Sequence, residues 1–488
     1  MQRSFVLNLL LLIFINLLIK PLFIFGVDLR VQNQAEQGAY GLYFALLNWT
    51  FLFQIVSDFG LQNFNTRHVS RFPHLLEKYY SSFLVIKLLL SGVYFCLAML
   101  LAWTVGRYTG AALSLLAILL FNQVLVQLVL FLRSNLSGLG YYRLDSVLSS
   151  LDKLLMLLVC GAALWWHQLQ GGAYFPVQWF ALAQTLALIV TIGIVFFLLQ
   201  RKTKLAFDPF LLRQSKRGWP VVRLLFKKSL PYALVVLLMS AYSRLDSVLL
   251  ERLLPDGAYH TDVFAGGYRL LDALNMFGYL FASLLLPMFG RLLKEKQPVE
   301  PLGSLGFKLI WTGSWLAAWS IFSYRHELTA LMFPGKADLL YRASVMGILI
   351  WGFLAVCTTY IFSTLLTADE RLGSMNRFFV LGIGWNITIN LLLIPSYQAY
   401  GAAIASVSTQ VIIALSMVGL CLRHYQFFPS KTTVLSWLGY SGGLALLANA
   451  LPNLTWPWYI QLLILLPASV LLAFGSRWIS WGELRSLP

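Results

Sequence analysis

Charge is what this sequence has least of. Only 11% of its 488 residues are Asp, Glu, Lys or Arg, where a soluble domain carries about 25%. That is too little to coat a water-soluble globule of this length, and a disordered chain needs more charge still. Cysteine is also scarce. Cys96, Cys160, Cys357 and Cys421 each fall inside an apolar run, none with a partner at metal-ligand spacing, which excludes a disulfide framework and a zinc site. The six histidines are scattered, and no nucleophile-elbow, phosphate-loop or zinc-protease pattern occurs. No metal, no cofactor and no enzymatic activity are therefore expected.

What the chain does have is hydrocarbon: 59% hydrophobic residues, 15% aromatic ones and a mean hydropathy of +0.74. This composition implies an all-α polytopic membrane protein, with aromatics at the interfaces and on lipid-facing surfaces. A crossing helix needs about 20 apolar residues. Runs of that length predict about fourteen spans, near 4–25, 40–60, 80–104, 110–132, 145–166, 178–199, 229–250, 263–288, 303–322, 343–367, 375–394, 400–422, 432–450 and 457–476. The first run lacks a small-residue cleavage site and continues past Lys20 through Pro21-Leu22-Phe23-Ile24-Phe25. It is expected to be retained as a span and not removed as a signal peptide.

The net charge of +17 acquires a meaning once these spans are drawn. With the N-terminus inside, about 24 of the basic residues fall in cytoplasmic segments and about six in outside loops. The excess is mainly a topology signal. It places both termini in the cytoplasm and leaves nucleic acid a remote alternative. The longest inside loop, about residues 201–228, contains Phe207-Asp208-Pro209-Phe210 and Trp219-Pro220 among nine basic residues. It reads as an interfacial segment on anionic membrane lipids and as the linker between two halves.

Two pairs of segments suggest an internal repeat. The stretch Gly38-Ala39-Tyr40-Gly41-Leu42-Tyr43-Phe44 parallels Ala265-Gly266-Gly267-Tyr268-Arg269-Leu270, and the junction Arg133–Arg143 parallels Ser363–Gly373. Both pairs are offset by six spans, an even number, so the halves have parallel topology. The expected organisation is residues 1–200 (spans one to six), linker 201–228, residues 229–424 (spans seven to twelve) and an added helix pair at 425–488.

Nine charges lie in or at the edges of spans: Lys20, Lys87, Asp145, Asp152, Lys153, Arg244, Asp246, Arg269 and Asp272. Each would cost about 2.5–3.5 kcal/mol at the bilayer centre, so they must face one another or a wet cavity. Arg269 and Asp272 share a helical face at i, i+3. Asp145, Ser149 and Asp152 share one at i, i+4, i+7. For Lys87, snorkelling to the interface is as good an account as any. Lys20, Arg244 and Arg269 are quasi-symmetrically placed in the two halves and suit an anionic substrate such as a diphosphate. Asp246 and Asp272, with Asp145, Asp152 and Lys153, are candidates for charge pairing or ion coupling.

Several of these segments resemble a known family. Lys20-Pro21-Leu22-Phe23-Ile24-Phe25-Gly26-Val27-Asp28, the Gly38–Phe44 stretch, Asp58-Phe59-Gly60-Leu61-Gln62-Asn63 and Tyr400-Gly401-Ala402-Ala403-Ile404-Ala405 are similar to the Wzx-type oligosaccharide flippases. These are polysaccharide transporters of the MOP exporter superfamily, relatives of lipid II flippases and MATE antiporters. The resemblance implies two six-helix lobes in a V plus two extra C-terminal helices, with a cationic cavity between the lobes. It implies a bacterial cytoplasmic membrane location and export of an undecaprenyl-diphosphate-linked oligosaccharide for O-antigen, capsule or similar surface polysaccharide. It implies H+ or Na+ coupling and contact with polysaccharide assembly machinery. Lys20 and Arg269 match positions where that family meets the lipid pyrophosphate. The lipid II flippases carry a consecutive Arg-Asp early in the chain, whereas Asp28 here stands alone, a departure that points away from lipid II itself. The alternatives are a MATE-like cation-coupled antiporter, which calls for an acidic cavity, and a membrane glycosyltransferase or polymerase, which calls for a large outside loop.

Overall fold

In the computed structural model, residues 18–19, 21–71, 74, 76–203, 219–425, 430–480 and 482 are described. Every regular element among them is helical. They contain ten helical stretches long and apolar enough to cross a bilayer. One of these, Leu372–Tyr425, doubles back at Gln398 and supplies two crossings. Of the other expected spans, the first lies mostly outside the described residues, the second is a short helix ended by a turn, and the ninth is Glu300–Ser323. The chain divides into two compact units, Met1–Asp262 and Val263–Pro488.

In the first unit a π-helical turn at Ile24–Asp28 leads into α1 (Leu29–Gln34). Gly38, at φ 81°, then reverses the chain into α2 (Ala39–Leu52). That left-handed backbone costs glycine almost nothing. Nearly all of α2 is buried, because it packs between α5 (Gly110–Gly138) and α9 (Trp219–Leu253). α2 stops at Phe53, gives way to a 3-10 turn at Gln54–Ser57 and resumes as α3 (Leu61–Arg71). α4 (Leu76–Thr104) lies against α5 and that turn, and α8 (Val177–Lys202) lies along α5. Polar residues of α5 and α8 bond across the helix interface, as in other membrane helices. Asn122 donates to the Ala181 carbonyl at 2.9 Å, and Thr185 donates to Asn122 Oδ1 at 2.6 Å.

The fifth expected span is two helices, α6 (Tyr142–Leu148) and α7 (Leu151–Leu169). Ser150 leaves helical geometry at φ −119°, ψ 2°, and Ser149 bonds back to the Ser146 carbonyl. Such local hydroxyl bonds compete with the helix ladder. The continuous face expected for Asp145, Ser149 and Asp152 is therefore interrupted.

α10 (Gly257–Lys294) carries the boundary between the units. In the second unit α14 (Trp351–Ala368) packs on α15 (Leu372–Tyr425) and on α11 (Glu300–Ser323), with α12 (Arg325–Met332) and α13 (Leu339–Leu349) between them in sequence. α16 (Lys431–Ala450) and α17 (Trp458–Gly475) attach to α11. A tryptophan ladder fastens them. Trp311, Trp315 and Trp319 recur every fourth residue on one face of α11; Trp311 stacks on Trp315 at 5.5 Å and meets Trp437 of α16 at 5.5 Å. The Trp315 indole donates to the Ser441 carbonyl at 3.0 Å.

The two junctions that look alike in sequence close in the same way. Tyr141 N donates to Leu136 O at 3.0 Å and Gly140 N to Ser137 O at 3.0 Å. Arg371 N donates to Leu366 O at 2.9 Å and Glu370 N to Thr367 O at 3.1 Å. This is the Schellman closure, with Gly140 at φ 85° in one and Glu370 at φ 56° in the other.

Candidate functional site

Arg244 lies on α9, part-buried against α2. Its Nη1 donates to Asn48 Oδ1 at 3.2 Å, and its guanidinium sits 5.0 Å from the centre of the Phe51 ring. Asn48 itself is buried and donates to the Phe44 carbonyl at 3.0 Å, so its oxygen is aimed at the arginine. Asn48 and Phe51 help to orient the guanidinium. Two residues on, Asp246 is 1% exposed. Arg269 and Asp272 are half-buried on the part of α10 in the second unit. Lys20 and most of the basic segment 201–228 lie outside the described residues.

The other predicted charges pair locally. Asp145 accepts from Arg133 Nε at 2.8 Å, with a second bond from Nη2 to the Asp145 carbonyl at 3.2 Å. Asp152 and Lys153 lie 3.0 Å apart, and the ammonium of Lys153 sits 5.2 Å from the Phe23 ring.

Lys87 does not reach an interface. It is 0% exposed and donates to Asp58 Oδ1 at 2.6 Å and to Gln127 Oε1 at 3.1 Å. Asp58 closes the 3-10 turn that interrupts α2 and α3, and this pair pins the broken backbone to α4. Asp58 and Gln127 escape a reading of the sequence alone. Their one local signal is Asp58, an acidic residue two positions before Gly60 at the end of a largely apolar run. A second polar cluster lies close by in the chain, where Asn65 donates to Ser134 Oγ at 2.8 Å and Asn135 Oδ1 at 2.9 Å.

At the opposite end of α2, the turn between α9 and α10 is bolted to the rest of the first unit. Gln32 Nε2 donates to both the Asp262 carbonyl, at 2.8 Å, and Asp262 Oδ1, at 3.0 Å. A Cβ on Gly41 would lie 1.8 Å from the Ala258 carbonyl oxygen, so only glycine permits this backbone contact. Tyr108 donates to Glu251 Oε2 at 2.8 Å, and the Arg252 guanidinium covers the Tyr108 ring at 3.7 Å and donates to the Gly106 carbonyl. Burial, reinforced by the Glu251 charge, holds the Tyr108 phenol well above its ordinary range, so it remains a donor.

Residues 8–293, more than half of the chain, match the family described as polysaccharide biosynthesis protein. The chain belongs to that family. No curated protein sequence matches it. Among solved structures it is similar to the lipid II flippase MurJ in its inward closed conformation, at 13% identity and a TM-score of 0.68 over 99% of each chain. A MOP superfamily transporter from Pyrococcus furiosus, described as having a binding pocket of reversed polarity, matches at 15% identity and a TM-score of 0.62 over 87% of this chain and 96% of that one. An outward-facing multidrug-resistance MATE transporter matches at 15% identity and 0.59 over 86% and 96%. This member of the polysaccharide biosynthesis family therefore has the fold of MOP superfamily transporters and is a multi-pass membrane protein. The described residues hold no group of His, Cys, Asp and Glu placed to bind a metal ion.

Proposed function

We propose that the protein is a flippase that moves a polyprenyl-diphosphate-linked oligosaccharide from the cytoplasmic to the outer leaflet of a bacterial cytoplasmic membrane, by alternating access between residues 1–200 and 229–424, with both termini inside. Membership in the polysaccharide biosynthesis family supports the substrate class. The observation that carries the reading is Arg244, a planar cation held inside the bilayer by an amide oxygen and an aromatic face. Guanidinium forks match phosphate oxygens bidentately. Lys20 and Arg269 are proposed to meet the same diphosphate. Asp246 and Asp272 are proposed to position those cations or to couple H+ or Na+ movement, and Asp145, Asp152 and Lys153 to balance charge at the α6–α7 break.

With the N-terminus inside, the Gln32–Asp262, Gly41–Ala258 and Tyr108–Glu251–Arg252 contacts lie at the outer end. They tie the end of α9 and the start of α10 to α1, α2 and the α4–α5 turn. The test is replacement of Arg244, Arg269 and Lys20 by glutamine in cells making the native surface polysaccharide. Export should fall at normal protein level. Unchanged polysaccharide in all three variants would remove these residues from the mechanism.

A further inference from the structure

A cavity of about 470 Å³ lies in the first unit between the end of α2 with its 3-10 turn and one face of α9. Its wall from α2 and the turn is Leu52, Phe53, Ile55, Val56 and Phe59. The α9 wall runs from Leu230 through Leu237 and Ala241 to Leu245, about 22 Å of helix at 1.5 Å per residue. Every lining side chain is hydrocarbon. A cavity with no polar partner does not hold water stably, and its size falls in the range of small-ligand sites.

A charged residue, Arg244, lies beside one end of the cavity, outside its lining. Residues 230, 237 and 244 are seven apart and form one stripe of α9, so Arg244 continues the line of Leu230 and Leu237. It contacts Asn48 and Phe51, four residues and one residue before the lining residue Leu52. At the other end Leu230 and Leu234 are 48% and 39% exposed, an open mouth. A bare hydrocarbon slot with a guanidinium next to one end is complementary to one kind of molecule, a long apolar chain ending in a phosphate.

We infer that this slot binds the first isoprene units of the polyprenyl phosphate carrier, with its phosphate at Arg244. The inference rests on the proposed substrate class and adds a protein site for the tail. With the topology proposed above, the chain hangs from its head toward the cytoplasmic side, the orientation of a lipid in the outer leaflet. The turn that lines the slot is also held by Asp58 to Lys87, so a chain seated there presses on a segment with a fixed anchor.

The test uses the full-length protein in phospholipid nanodiscs. One arm adds polyprenyl phosphate bearing a diazirine on an isoprene unit near the phosphate, and the other a phospholipid bearing one on its acyl chain. After irradiation, labelled peptides are mapped. The polyprenyl probe should label residues 230–245 and 52–59, and Ala241→Trp, which fills the slot, should reduce labelling about tenfold, equivalent to about 1.4 kcal/mol. Arg244→Gln should weaken labelling by the same probe. Equal labelling of these peptides by the phospholipid would overturn the inference, as would polyprenyl labelling confined to other helices. If Ala241→Trp does not fold, the peptide map of the unaltered protein still decides. Surface polysaccharide in cells lacking the protein is measured in parallel. Normal polysaccharide there would sink the transport reading and leave the slot standing; lost polysaccharide with an unlabelled slot would do the reverse.

Discussion

Lys87, buried on α4, and Asp58, in the break between α2 and α3, form an ion pair 2.6 Å apart. Removing one member of such a pair leaves an uncompensated buried charge, which costs about 3–5 kcal/mol. Asp58→Asn and Lys87→Met should each lower the melting temperature of the detergent-purified protein by several degrees. The double variant Asp58→Leu with Lys87→Met should recover most of the loss, because apolar replacements of a buried pair are often tolerated. A double variant no better than the singles would mean that the pair does more than neutralise itself.

The close approach of Gly41 to Ala258 gives a second prediction. Gly41→Ala places a methyl group where a backbone oxygen stands, and overpacking of this kind costs about 1–3 kcal/mol. The α9–α10 turn should loosen. Thr261, fully buried beside it, offers the readout: a Thr261→Cys thiol should react faster with a membrane-impermeant reagent in the Gly41→Ala background. Unchanged labelling would show that the contact does not hold this turn in place.

Gly140 and Glu370 occupy the same left-handed position in two Schellman closures. Side chains other than glycine cost about 1–2 kcal/mol in that conformation. Glu370→Gly should therefore raise thermal stability by about 1 kcal/mol. Gly140→Ala should lower it by a similar amount, since nothing lies within 4 Å of the added Cβ. Thermal melts of both variants check the pair of signs.

Trp315 bridges α11 to α16 through its indole bond to the Ser441 carbonyl, and it stacks on Trp311, which meets Trp437 of α16. Truncation of a packed tryptophan costs about 3–5 kcal/mol. Trp315→Ala should release the α16–α17 pair, visible as a separate early melting transition by tryptophan fluorescence. A single transition at the original temperature would show that the pair is held by its other contacts.

The membrane class and most spans were legible in the sequence because a crossing helix must be long and apolar, a property each segment declares by itself. The break at Phe53–Ser57 was not, since it is marked only by Gln54 and Ser57, and isolated polar residues such as Asn122 also occur inside unbroken helices. The pairing of Lys87 with Asp58 was invisible for another reason: 29 residues of spacing carry no information about which helices touch. The same holds for Arg244 and Asn48, separated by 196 residues. Asp145 was identified as a charge needing a partner. Its partner, Arg133, stands 12 residues earlier, and the end of α5 and the start of α6 bring the two together only in three dimensions.

The reversal at Gln398 has its own consequence. The two limbs of α15 are joined through a single residue off the helical path, at φ 53°, ψ −128°. Ala399 N is bonded to the Tyr341 hydroxyl at 3.0 Å. Gly401 approaches the first limb so closely that its Cβ would lie 2.5 Å from the Leu393 oxygen. A connection this short carries no slack, so it works as a register pin. One residue inserted beside Gln398 would turn the whole second limb by about 100°, carrying Ala402, Ala405 and Thr409 off the faces they now bury and leaving no loop to absorb the error.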